Sequence, residues 1–411
     1  MSPNETESPP TNGSQVPGTV AEVFVTFLKL GLTSFGGPIA HLGYFREELV
    51  VRRKWLDDAA YADLVALCQF LPGPASSQVG FALGLSRAGP WGAIAAWVAF
   101  TLPSAVLMVA FAYGAAALDG PVGAALIHGL KLVAVAIVAQ AVLGMGLTLT
   151  PDARRAAIAA AATAVVSLTT LGAAQIAVIV IGALIGLVAC RRPLAAATPA
   201  LRLAVRKRVG AGAFLLFSGL LVGLPVAFAA TQSSGLDLFD AFYRSGALVF
   251  GGGHVVLPLL QAEMVGSGSM TEDVFLAGYG AAQALPGPLF AFAAYLGSAG
   301  SLTPNGPAGA VIALIAVFLP GLLILVAALP FWNSLRSRPM AQSAMRGANA
   351  AVVGVLAAAL YDPVWTSAVE TRLDFALAAS GFIALVAWKA PPWAVVLGLV
   401  GSNMAVSLLI A

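Results

Sequence analysis

The sequence predicts an all-α polytopic membrane protein made of two homologous repeats, and three observations carry that expectation. Apolar residue types make up 59% of the 411 residues and charged types only 9%. A soluble domain carries roughly 25% charged residues, so this chain cannot clothe a water-facing surface of its size. Mean hydropathy is +0.91, and apolar stretches recur at the roughly 20-residue length with which a helix crosses a bilayer. The same order of short motifs appears in both halves. Helix is the spanning element, because an open strand leaves its backbone groups unsatisfied in lipid.

Residues 1–19 are polar, with Pro, Ser and Asn, and read as a disordered tail. No basic stretch precedes an apolar core there, so they do not read as a cleaved leader. Apolar segments follow at 20–45, 60–86, 90–117, 122–149, 153–171 and 172–190, which together make the first repeat, 20–190. The basic stretch 191–209 holds Arg191, Arg192, Arg202, Arg206, Lys207 and Arg208 without an acid. That marks a cytoplasmic loop by the positive-inside rule and not a nucleic-acid site. Residues 210–231 form a linking helix, and the second repeat, 232–411, has segments at 239–262, 273–299, 307–332, 342–361, 373–389 and 391–411. Small residues interspersed on all faces suit closely packed membrane helices. Cys68 and Cys190 are the only cysteines, which excludes a disulfide framework or a thiolate metal cluster.

Four collinear matches define the duplication. FLKLGLTSFGG from Phe27 aligns with FYRSGALVFGG from Phe242, and QFLPGP from Gln69 with QALPGP from Gln283. GAIAAWVAFTLP from Gly92 aligns with GAVIALIAVFLP from Gly309, and HGLKLVAVAI from His128 with RGANAAVVGV from Arg346. If each segment crosses once, seven crossings separate the repeat starts and the halves are inverted, a transporter architecture with its site near the midplane. That arrangement puts Arg46, Arg52, Arg53 and Lys54 outside, against the charge rule. If the PGP segments are instead re-entrant, this cluster moves inside and the repeats become parallel. The inverted arrangement is the expected one.

Two kinds of motif interrupt the apolar segments. Phe35-Gly36-Gly37-Pro38 is echoed by Phe250-Gly251-Gly252-Gly253, and Leu71-Pro72-Gly73-Pro74 by Leu285-Pro286-Gly287-Pro288. Proline removes a backbone donor and glycine admits conformations a helix forbids, so each motif ends one half-helix and starts another. The amides that follow Pro74 then point into the break, an arrangement that binds anions. Ser76, Ser77 and Gln78 add donors after the first PGP, and Gln69 precedes it with Gln283 as its repeat. Phe290 and Phe292 stand in the corresponding stretch of the second half.

Lys29 and its repeat partner Arg244 lie inside apolar segments, as does Lys131, whose partner is Asn349. A lysine at a membrane-helix centre costs on the order of 2.5–3.5 kcal/mol. The bland reading is snorkelling; the functional one is attraction of an anion. His41, His128 and His254 have no metal-ligand spacing and read as packing or hydrogen-bonding residues. Neither a metal nor a cofactor is expected.

The run FLKLGLTSFGGPIAHLGY from Phe27, with FLPGP from Phe70 and Ser76-Ser77-Gln78, resembles the chromate ion transporter (CHR) family. FGGGHVVLPLL from Phe250 and ALPGPLF from Ala284 resemble that family's other domain. The resemblance covers nearly the whole chain after residue 20. It implies a multi-pass protein of the bacterial inner membrane that exports chromate, with sulfate as analogue and proton-motive force as energy source. Its implied partners are the oxyanion and membrane lipid, with a homodimer left open. The alternatives are a channel or transporter for another small anion and, more remotely, a membrane lipid-phosphate phosphatase. The last lacks the acids and the arginine its chemistry needs beside Ser77. No nucleotide-binding motif is present, which excludes a self-contained ATP-driven pump.

Overall fold

The computed structural model describes residues 18–116, 120–169, 173–190, 205–250, 252–332, 334 and 338–410, and among these there are helices and no strands. The tail up to residue 17, Gly251 and residues 191–204 of the basic stretch lie outside the described residues. The first repeat contains α1 (Val20–Thr33), α2 (Gly37–Phe45, continued by a π-helical turn at Arg46–Arg52), α3 (Asp58–Phe70) and α4 (Ala75–Ala116). It continues through α5 (Pro121–Leu149), α6 (Ala153–Leu168) and α7 (Ala173–Ala189). After the linking helix α8 (Lys207–Thr231) come α9 (Ser234–Ala247), α10 (Val256–Met264), α11 (Glu272–Ala282), α12 (Phe292–Ala299) and α13 (Gly306–Ala328). The chain ends with α14 (Pro339–Ala359), α15 (Arg372–Val386) and α16 (Pro392–Ile410). Among the described residues, five helices are long and apolar enough to cross a membrane, namely α4, α5, α8 and the two that include α13 and α14. Shorter apolar helices, α7 and α16 among them, pack beside them.

The sequence motifs reverse the chain; they do not merely kink it. Glu22 in the first turn of α1 lies 4.0 Å from Arg53 just beyond α2, and Phe27 stacks edge-on against Phe45. These pairs bracket Gly36 and Gly37, so α1 and α2 are the two legs of a hairpin. The second hairpin has α3 and residues 75–87 of α4 as legs, because Arg87 at its end sits over the Trp55 ring that precedes its start. Gly18 donates to the Arg87 carbonyl at 2.9 Å, so both hairpins open at one end of the molecule. The second repeat does likewise. Arg244 of α9 pairs with Glu263 of α10 at 3.5 Å, and Tyr295 of α12 donates to the Val274 carbonyl of α11 at 2.9 Å.

Crossings begin only at Gly89, where φ is +67° and α4 turns back on itself. Residues 90–116 of α4, then α5 and α8, run from end to end, while α6 and α7 return to the end they leave, where Arg154 donates to the Ala189 carbonyl. Three is odd, so the repeats are inverted, and their hairpins enter from opposite ends. The expectation of one crossing per segment is corrected, and with it the placing of Arg46, Arg52, Arg53 and Lys54. They lie with Arg87, Arg154, Arg155, Lys207 and Arg208 at the end where the basic stretch begins. In the loops of the other end, among the described residues, Arg372 is the only cation. Reversal at both glycine and proline motifs satisfies the charge rule and the inversion together. With reversal at the PGP motifs alone, the two would be alternatives.

The repeats also exchange partners. Helix α5 of the first packs on α15 and α16 of the second, and α14 of the second packs on α6 and α7 of the first. Lipid supplies no hydrophobic drive for such contacts, so they depend on small residues that let backbones approach. A Cβ on Gly347 would come within 2.7 Å of the Gly186 Cα.

Candidate functional site

The four hairpin tips meet one another, and they meet across the repeats. The Gly287 amide of the second PGP donates to the Ser34 carbonyl just before the first glycine motif at 2.9 Å. Its symmetry mate is the bond from the Gly73 amide to the Val249 carbonyl, at 2.7 Å. Gly73 and Gly287 have φ of +116° and +98°, values that strain any residue with a side chain. A Cβ at Gly73 would also lie 2.8 Å from Gly321 Cα, and one at Gly287 2.8 Å from Ser104 Oγ. Gly321 and Ser104 each follow the proline of a long helix, Pro320 in α13 and Pro103 in α4. At the glycine motifs, Gly36 and Gly37 have φ of +98° and +78°, and Pro38 stands in the first turn of α2, where its missing amide is no loss. A Cβ on Gly253 would lie 3.3 Å from Pro38 Cγ, so the two glycine motifs also touch.

Each hairpin's second leg starts at this junction. The amino ends of α2 and α4, and of the short 3-10 turns Gly253–Val255 and Leu289–Ala291 that lead into α10 and α12, therefore converge. The first amides of a helix have no partner within it, and its dipole favours negative charge.

The side chains around the junction are unequal. In the first half Ser76, Ser77 and Gln78 are buried. Ser76 Oγ lies 3.4 Å from His41 Nδ1, and the His41 ring stands edge-on to Phe100. Gln78 Nε2 donates to the carbonyls of Pro72 at 2.9 Å and Gly321 at 2.7 Å, tying the first PGP to α13. Ser34 Oγ, Ser77 Oγ, Thr101 Oγ1 and His41 Nε2 are buried and have no partner. In the second half Pro286, Gly287, Pro288, Leu289, Phe290 and Phe292 are buried and apolar. His254 there is closed off by Tyr279, at 2.6 Å.

The remaining sequence candidates are distributed differently. Phe35 and Phe250 are half-buried at the tips with Pro72 and Gly252, and Pro74 is buried. Gln283 joins them, with Nε2 buried and unpartnered, whereas Gln69 is exposed on α3. Lys29 lies on the outer part of its hairpin, 3.5 Å from Glu48 on the opposite leg and with a 58% exposed side chain. Hydrogen bonding from Arg53, with Lys29 nearby, holds the Glu48 carboxyl below its usual range. Arg244 repeats this with Glu263 and adds Asp240 at 3.0 Å. Lys131 sits away from the tips, paired with Asp273 of α11 at 2.7 Å. Asn349 occupies the matching place on α14 with Oδ1 buried and unpartnered.

Ser34, Thr101 and Ser104 were not among the sequence candidates. Ser34 directly precedes Phe35-Gly36-Gly37, and Thr101 and Ser104 flank Pro103 in the third repeated motif. Local sequence does not single them out, because their hydroxyls sit in or beside apolar helices and meet the tips only in the folded chain.

The chromate transporter family matches residues 21–187 and 236–403, one match per repeat. The chain belongs to that family. It is similar to the chromate transport protein of Pseudomonas aeruginosa, with 28% identity over 395 residues covering 94% of this chain and 92% of the relative. The chromate transport protein of Cupriavidus metallidurans is 26% identical over 350 residues, covering 83% and 82%. An uncharacterized transporter of Methanocaldococcus jannaschii is 28% identical over 346 residues, covering 82% of each. No solved structure matches the chain. As a member of the chromate transporter family, the protein is a multi-pass membrane transporter and not an enzyme, and the phosphatase alternative is set aside.

Proposed function

We propose that this transporter carries chromate outward across the bacterial inner membrane, with sulfate as a competing analogue and proton-motive force as the driver. One observation supports the substrate site above others. Buried hydroxyls of Ser34, Ser77 and Thr101 without partners lie at the meeting point of four hairpin tips. A buried donor left unsatisfied costs about 1–3 kcal/mol, and a tetrahedral oxyanion would satisfy several at once. Backbone amides at the tips of α2 and α4 would add donors without a full opposing charge that would trap the ion. Lys29 and Arg244, each balanced by a carboxylate, would act at longer range. Because one pair of hairpins enters from each end, movement of one pair against the other would expose the site alternately.

The deciding experiment is uptake of radiolabelled chromate and sulfate into everted membrane vesicles, with and without a proton gradient. Gradient-dependent chromate accumulation, reduced by excess sulfate, is expected. Accumulation that ignores the gradient would remove proton coupling, and the absence of chromate uptake would remove the substrate assignment.

A further inference from the structure

Apart from the hairpin tips, a pocket of ≈ 330 Å³ opens at the end of the molecule that carries the basic stretch. Its lining includes Arg154 and Arg155 of α6, Arg346 of α14, Asp152 and the carbonyl end of α7 at Ala189 and Cys190. Among the described residues, three guanidinium groups thus face one carboxylate. Arg154 Nη1 donates to the Ala189 carbonyl and Arg346 Nη1 to the Cys190 carbonyl, both at 3.1 Å, so the end of α7 fixes their direction. Arg155 is only 9% exposed and is held by Asp152 at 2.7 Å. These cations also surround the amino end of α6, where a helix dipole disfavours positive charge.

The inverted repeat shows that the fold does not require this cluster. His128 on α5 is the counterpart of Arg346, and Asp374 is the third residue after its cap as Arg155 is after Asp152. There the two residues bond directly at 2.7 Å and join α5 to α15. Two arginines in the same places cannot join their helices. They border an open, positively charged space at a membrane surface instead.

We propose that this pocket binds a phosphate-type oxyanion, contributed either by the headgroup of an anionic phospholipid or by a soluble ion. Planar guanidinium groups match such oxygens two at a time, and basic pockets between membrane helices on the cytoplasmic side suit phospholipid headgroups. The proposal is independent of what the hairpin tips transport.

The test uses the full chain in nanodiscs of phosphatidylcholine, with or without phosphatidylglycerol, and reads the thermal unfolding midpoint. Inorganic phosphate is titrated separately in the phosphatidylcholine discs. The proteins are wild type, Arg154→Gln, Arg346→Gln and the double variant. Stabilisation of the wild type by phosphatidylglycerol alone assigns the headgroup, and stabilisation by phosphate alone assigns the soluble ion. In either case the double variant should need about tenfold more ligand, a difference of about 1.4 kcal/mol. Arg154 is exposed, so Arg154→Gln keeps the fold and should show a smaller loss on its own. Equal responses of wild type and variants in both arms would overturn the site.

Discussion

Ser76 and Ser77 follow the first PGP where the second half has Phe290 and Phe292, and this inequality can be read in kinetics. The hydroxyls lie beside the unpartnered groups of Ser34, His41 and Thr101, while the phenylalanines pack against apolar neighbours. Ser76→Ala with Ser77→Ala should raise the apparent Km for chromate more than Phe290→Ala with Phe292→Ala does. A silent serine pair beside a crippling phenylalanine pair would put the donors on the wrong side. Lys29 needs a paired test because Glu48 neutralises it. If its charge attracts the substrate, Lys29→Ala should weaken chromate binding by a factor of about 5–150, the equivalent of 1–3 kcal/mol, and Glu48→Gln should not. Equal losses in both variants would assign the pair to holding the hairpin together.

The hairpins set what each broken helix can tolerate. At Gly73 an alanine must adopt a φ of +116° with its Cβ 2.8 Å from Gly321, and neither backbone can yield easily. Gly73→Ala and Gly287→Ala should each abolish transport while the protein still reaches the membrane; wild-type rates in either would show that the tips are not the site. The hairpins also reassign the loops. Cysteines placed at Arg52 and Gly268, in a Cys68→Ser, Cys190→Ser background, should react with an impermeant maleimide from the cytoplasmic and periplasmic sides respectively. Labelling of both from one side would contradict the inversion.

Across the whole molecule, neither repeat is closed. Helix α5 depends on α15 and α16, and α14 depends on α6 and α7. The His128–Asp374 bond and the Asn403 donation to the Ala125 carbonyl, at 2.8 Å, cross the same boundary. Residues 1–206 and 207–411 expressed as separate chains should each be unstable alone and should co-purify as a transporting complex when made together. A first half that is monodisperse by itself would show that the exchange is dispensable. Within the intact chain, His128→Ala should lower stability by about 1.5–3 kcal/mol, the usual worth of a hydrogen bond to a charged group, read as a fall in the unfolding midpoint.

Composition alone required a helical membrane protein, because 9% charged residues cannot face water. The four repeated motifs announced the duplication and the places where helices break. Both follow from local chemistry: hydropathy decides the solvent, and proline with glycine decides where a helix must stop. Whether the chain then continues or turns back is not local. Gly36 and Gly37 permit reversal, but Phe27 on Phe45 and Arg53 beside Glu22 fix it. The candidate site was legible at Ser76 and Ser77 because they adjoin a motif. Lys29 looked like a free cation because Glu48 lies 19 residues further along and is brought beside it only by the hairpin; Glu263 reaches Arg244 in the same way, while Asp240 on the same helix was a local partner. Ser34 and Thr101 join the candidate site through packing. A hydroxyl's role depends on whether a partner reaches it, and contacts between distant segments, formed only in the folded chain, decide that.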